Sequence, residues 1–188
     1  MTLWIVAGVA ALVLLWVIAA YNGFIRKNNL VKEAWSGVET QLKRRADLIP
    51  NLVETVKGYA AHERATLELV TEMRARSMQA SGVAARGEAE QGMSAAVAKL
   101  MAVAENYPDL KANQNFLALQ TELGKTEDDI QLARRYYNGT VREFNIATQA
   151  FPSNLIAGPF GFKAAEYFQI ENDADRQAPK VSLGQQGT

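Results

Sequence analysis

Hydrophobic positions follow two different rules over three stretches of this chain. From Leu3 to Ala20 almost every residue is apolar, LWIVAGVAALVLLWVIAA, and no charge appears before Arg26. From Val31 the apolar residues are spaced instead: Val31, Trp35, Val38, Leu42, Ile49, Leu52, Val56 and Tyr59 advance by fours and threes, with Arg45 standing in the stripe. The same spacing returns at Phe116, Leu119, Leu123, Thr126, Ile130, Ala133, Tyr137, Val141, Phe144 and Phe151. Residues three and four apart share one helix face, so the second and third stretches predict long helices that pack along a seam. Lys32, Glu39, Lys43, Glu54, Lys57, Glu122, Lys125, Asp128, Arg134 and Arg135 fall mostly outside it, toward water.

The first stretch obeys the rule of a bilayer. At 1.5 Å per residue, about 20 apolar residues cross a hydrocarbon core of roughly 30 Å. Backbone amides find no water there, so the segment is expected to be helical. Trp4, Trp16 and Tyr21 lie toward its ends, and Arg26 and Lys27 stop it. A cleaved signal peptide needs a basic start, a shorter apolar run and a small-x-small site. Nothing basic precedes Leu3 here, and Ala19-Ala20-Tyr21 is a poor cleavage site. Residues 3–20 therefore read as an uncleaved, single-pass anchor whose partner is the lipid bilayer. Arg26, Lys27 and Lys32 follow the run, which puts the remaining domain on the cytoplasmic side by the positive-inside rule.

Beyond the anchor, the pattern predicts one helix over about 28–79, kinked at Pro50, because the stripe continues in phase across the proline. The Gly-rich ASGVAARGEAEQG over 80–92 predicts a flexible tip. Helices then return over about 93–150, with a bend at Tyr107-Pro108-Asp109 and Asp109 as cap. The outgoing and returning arms would span roughly 78 and 85 Å. The fold class is thus all-α: one transmembrane helix followed by an antiparallel, four-helix-type, up-and-down bundle. Residues 151–168 carry Phe151, Leu155, Ile156, Phe160, Phe162, Tyr167 and Phe168 among prolines and glycines. This cluster reads either as a lid on the open end of the bundle or as a segment in the bilayer interface. The division is 1–25 anchor, 26–170 bundle and 171–188 polar, disordered tail.

Composition narrows the chemistry. Lysine plus arginine and aspartate plus glutamate are 20 each, so no basic excess points to nucleic acid. No cysteine is present among the 188 residues, which excludes thiol chemistry and cysteine metal sites. His62 is the lone histidine; His62-Glu63-Arg64-Ala65-Thr66 begins like a zinc-protease helix, but Thr66 stands where the second ligand belongs. No catalytic, cofactor-binding or metal-ligating residue is assigned, and no cofactor is expected. Arg44, Arg45 and Asp47 form a charged cluster, with Arg44 and Asp47 spaced to pair on the helix surface. Arg45 and Thr126 interrupt apolar stripes, either lining a polar pocket between helices or, for Arg45, pairing with Glu122 or Glu127. Gly124 and Gly139 sit inside the last helix, where glycine usually admits a close neighbour. Asn138-Gly139-Thr140 matches a glycosylation sequon in poor context.

Several stretches together resemble the LemA family: Tyr21-Asn22, Ala34-Trp35, QLKRRADLIPNLV over 41–53, VKGYAAHE over 56–63, ENYPDL over 105–110, LQTEL over 119–123, Thr126-Glu127, Ala133-Arg134, Tyr137-Asn138, Phe144-Asn145 and Phe151-Pro152. The resemblance runs from about Tyr21 to Phe168. It implies a bacterial protein with one N-terminal membrane helix, a short outside N-terminus and an antiparallel helical bundle. It brings no established activity and no catalytic residues. Anchor, seams and missing catalytic constellation point to a non-catalytic scaffold or interaction protein of the bacterial inner membrane, self-associating as a homo-oligomer and meeting other membrane proteins. A ligand- or signal-sensing adaptor is the alternative.

Overall fold

The computed structural model describes residues 1–169, so the expected tail over 171–188 lies outside the described residues. Among them the chain is helical, without strands. α1 (Thr2–Lys57) is one helix of 56 residues. It is followed by α2 (Arg64–Gln79), α3 (Val83–Ala104), the single turn α4 (Pro108–Lys111), α5 (Gln114–Gln149) and the single turn α6 (Asn154–Ala157). α5 descends beside the part of α1 that follows the apolar run, and the two pack against each other there. Beyond Tyr21, α1 extends on the order of 55 Å, and α5, with 36 residues, about 54 Å. The matched pair is α1 with α5.

Two core clusters divide the bundle. In the far half, Ile49, Leu52 and Val56 of α1, Leu67 and Val70 of α2, Met93, Ala96 and Leu100 of α3, and Phe116 and Leu123 of α5 interdigitate. Four helices surround that core, capped by Leu110 of α4. In the near half, Phe24, Val31, Ala34, Val38 and Leu42 of α1 meet Ile130, Tyr137, Val141 and Phe144 of α5. Two helices alone leave a groove, and Ile156, Ala157 and Phe168 from the last segment fill it.

The seam positions agree with the pattern: Val31, Val38, Leu42, Ile49, Leu52 and Val56 are buried, as are Phe116, Leu123, Thr126, Ile130, Tyr137, Val141 and Phe144. The connections differ. The helix expected over 28–79 ends at Lys57, and Tyr59, placed in the seam, is exposed in the connection to α2. The chain reverses here as well as at 80–82, so the equal arms of 78 and 85 Å do not exist. Only Ala80, Ser81 and Gly82 separate α2 from α3, and α3 starts at Val83, ten residues before Met93. Gly82 takes φ 86°, a conformation that costs glycine nothing, and its neighbours are alanine-rich helix formers. The cap of α5 is Asn113, whose side chain accepts from the Phe116 amide at 3.0 Å, and not Asp109.

α1 runs unbroken through Pro50. Proline has no amide hydrogen for the Ala46 carbonyl, which a helix leaves orphaned in that case. Arg74 of α2 donates from Nε to that oxygen at 2.7 Å. The missing backbone bond thus becomes a link between α1 and α2.

Candidate functional site

The features that go beyond packing gather at two levels. The first is the foot of the bundle, beside the apolar run of α1. Residues 2–20 are exposed except Val17 and Ala20, which pack against the near core. This segment is the one part of the described chain long and apolar enough to cross a membrane. Immediately above it, Phe24 stacks on Phe162 with ring centroids 4.8 Å apart, and Phe144 meets Phe24 edge-on at 6.3 Å. Tyr21 lies 5.1 Å from Phe160 and 5.8 Å from Phe162. The aromatic segment therefore folds back onto the helix that carries the apolar run.

That segment has two faces. Ile156, Ala157 and Phe168 are buried, whereas Phe151, Leu155 and Phe160 are 79, 59 and 52% exposed. Phe151, placed in the seam of α5 by its spacing, lies outside it because α5 stops at Gln149.

Past Gly161 the chain extends as a strap along α5, held by side-chain amides. Asn145 donates to the Ala165 carbonyl at 3.0 Å and accepts from its amide at 2.8 Å. Asn138, seven residues earlier and on the same face, does the same for Phe168 at 3.0 and 2.9 Å. The Tyr137 hydroxyl donates to the Glu166 carbonyl at 2.8 Å. Burial pushes the Tyr137 phenol above its usual 10.0, with the Glu166 carboxylate adding to the shift. Phe168 inserts against Trp35, ring centroids 5.3 Å apart. Gly87 of α3 makes room for the strap: a Cβ there would lie 2.5 Å from the Gln169 carbonyl oxygen. The sequon asparagine is thus a structural group facing the strap. Asn138, Asn145 and Gly87 were invisible to a reading of single-helix periodicity; an asparagine pair seven apart in a buried seam is the signal that marks them.

The second level is a polar cluster midway along α1. Arg45 is 3% exposed. Its Nη1 donates to Glu127 of α5 at 2.8 Å and to Ser94 of α3 at 2.9 Å. Its Nη2 pairs with the Glu90 carboxylate, which is 1% exposed and also receives the Ser77 hydroxyl of α2. One guanidinium thereby ties α1, α3 and α5 together, with α2 joined through Glu90. Of the two readings of Arg45, pairing with Glu127 is the one realised. Thr126 is buried and donates to its own helix at the Glu122 carbonyl, 2.8 Å away. Arg44 does not pair with Asp47; it crosses to Glu122 and Asp129 of α5. His62 is exposed in the α1–α2 connection. Gly124 and Gly139 admit no neighbour: nothing lies within 4 Å of a Cβ added at either. Beside the cluster, α2, α3 and α5 border an open cleft of about 940 Å³, lined by Arg76, Glu88, Ser94, Glu127, Gln131 and Arg134 among others.

Fold and site define an all-helical bundle protein whose first helix begins as an exposed, membrane-length apolar segment. Residues 34–183 match the LemA family, and the chain belongs to it. Magnetosome protein MamQ 2 of Paramagnetospirillum magneticum is 28% identical over 182 residues, covering 82% of this chain, and MamQ of Magnetospirillum gryphiswaldense is 26% identical over the same span. The chain spans 66% of the length of these magnetosome relatives. Protein LemA of Metamycoplasma hominis is 27% identical over 163 residues, 81% of this chain and 73% of that protein.

Proposed function

We propose that this protein is a non-catalytic scaffold anchored in the inner membrane by residues 3–20, with the bundle on the cytoplasmic side and copies associating through the outer face of α5. The observation that carries the reading is the unbroken α1, exposed and apolar over residues 3–16 and gathered into the bundle from Val17 on. A helix with no joint transmits the orientation of its membrane segment to everything packed on it. Arg26 and Lys27 directly after the run support the cytoplasmic side. The names of the relatives denote no reaction, in keeping with a structural role.

Self-association is supported by a second stripe on α5, opposite its buried face. Leu132, Tyr136 and Ile146 are 55, 57 and 56% exposed and share one side of the helix with Gly139. A glycine with open space above its Cα, flanked by exposed large apolar residues, suits the approach of another helix. Mass photometry of the protein in lipid nanodiscs tests this. The expected result is a defined oligomer that falls to monomer when Leu132 and Tyr136 are both replaced by lysine. A wild-type monomer at every concentration sinks self-assembly.

The cleft bordered by α2, α3 and α5 favours the second reading, a ligand- or signal-sensing adaptor, because charged residues of both signs converge there between helices. A thermal shift by any member of a small-molecule library, abolished by Glu88→Ala, would support that reading over the scaffold.

A further inference from the structure

We infer that residues 151–160 form a second membrane contact, seated at the boundary between headgroups and acyl chains beside the anchor. This rests on the reading of residues 3–20 as a membrane segment and adds to it a claim about depth. Descending α5 meets Phe24 at Phe144, ring centroids 6.3 Å apart. It then continues to Gln149, about 7.5 Å further down at 1.5 Å per residue. That depth corresponds to the last turn of the apolar run, where Val17 and Ala20 are indeed packed against the bundle core. Everything between Phe151 and Phe160 therefore lies at or just above the end of the bilayer-spanning stretch.

The composition of the surface exposed at that level suits lipid. Phe151, Leu155 and Phe160 point outward while Ile156 and Ala157 point inward. Their apolar surface continues that of Tyr21 and Ile25, each 37% exposed, and hence that of the anchor itself. Asn22 and Asn154 are exposed at this level, and charged groups begin just above it, where Arg26 and Lys163 are exposed. Aromatic rings below and basic side chains above is the order of an interfacial segment. A large exposed apolar patch of this kind needs a cover, and the bilayer adjoining it is the one already implied by the anchor. Two contacts, a helix and a loop, would fix the tilt of the bundle on the membrane where a single helix leaves it free to rotate.

The chain contains no cysteine, so single-cysteine variants report one position each. An environment-sensitive NBD label is placed at Leu155→Cys and, separately, Phe160→Cys. Leu12→Cys in the anchor and Leu117→Cys at the far end of the bundle serve as references. Each is reconstituted in phosphatidylcholine–phosphatidylglycerol vesicles and quenched with brominated lipid or with aqueous iodide. The expected result is that the labels at 155 and 160 lose emission to bromine and resist iodide, as at 12, while 117 does the reverse. Iodide quenching at 155 and 160 with bromine quenching at 12 overturns the proposal and leaves the anchor standing. Shielding from both quenchers overturns it in favour of a protein partner on this loop. Iodide quenching at 12 as well removes the anchor reading and this one with it.

Discussion

Asn138 and Phe168 exchange two hydrogen bonds, side-chain amide to backbone amide, at 3.0 and 2.9 Å across 30 residues of sequence. Asn145 repeats the arrangement at Ala165. An asparagine carboxamide copies a peptide unit, so the strap is paired to α5 as a strand is paired to its neighbour. The pairing reads backbone and tolerates most side chains; the register is set by Phe168 in its pocket beside Trp35.

Replacing Asn138 by alanine leaves both backbone groups of Phe168 without that partner, at a cost of about 1–3 kcal/mol. Asn138→Asp should be at least as harmful, because it keeps the acceptor and sets a carboxylate against the Phe168 carbonyl oxygen. Thermal unfolding and limited proteolysis at the strap check both. Unchanged protection in the two variants would show that Phe168 alone holds the segment.

Two glycine-to-alanine changes should have opposite signs. At Gly87 the new methyl would stand 2.5 Å from the Gln169 carbonyl, a backbone atom, so the strap must shift. At Gly124 nothing lies within 4 Å and the residue is inside a helix, so alanine should stabilise by up to about 1 kcal/mol. Denaturant midpoints compare the pair directly.

Tyr137 gives the strap a pH limit. Its phenol is raised in the folded protein, by burial first and then by the Glu166 carboxylate. A raised acid contributes stability in full below its unfolded value of 10.0, and loses it as pH climbs through the folded value. Unfolding free energies measured from pH 9 upward should therefore fall more steeply for the wild type than for Tyr137→Phe, in which that slope is missing.

The long helices and the apolar run were legible because each depends on one segment's own periodicity. What was not legible depends on partners far away. Tyr59 continues the three-four spacing of α1, yet Gly58 precedes it and the chain turns; periodicity cannot tell a seam's last member from the first residue past it. The glycines at 82, 87 and 92 looked like one flexible tip, although only Gly82 has a positive φ. Gly87 and Gly92 are helical and close to Gln169 and Met73, so they are small for reasons of contact. At the polar cluster, spacing along α1 favoured Arg44 with Asp47, and the folded bundle brought Glu122 and Asp129 of α5 within reach instead.

The Arg45–Glu90 pair predicts a strong asymmetry between single and double changes. Both groups are almost wholly buried. Arg45→Met leaves the Glu90 carboxylate in the core with Ser77 as its partner among the described residues, and breaking a buried pair typically costs about 3–5 kcal/mol. Adding Glu90→Leu removes the stranded charge, so the double variant should recover much of the loss. Equal stabilities for single and double variants in denaturant melts would mean that water or another donor reaches Glu90 once Arg45 is gone.

Pro50 and Arg74 offer the cleanest coupling in the molecule, because the proline creates the vacancy that the arginine fills. With Pro50 in place, the Ala46 carbonyl has Arg74 Nε as its donor at 2.7 Å. Arg74→Met removes that donor and should cost about 1–2 kcal/mol, as for other partly buried acceptors left unpaired. Pro50→Ala restores an amide hydrogen at the position that normally bonds the Ala46 oxygen within the helix. In that background the arginine competes with the backbone, and Arg74→Met should cost distinctly less. A double-mutant cycle on urea unfolding measures the difference as a coupling energy. A coupling near zero would mean that Arg74 stabilises the α1–α2 contact through its stem and charge, independent of the proline.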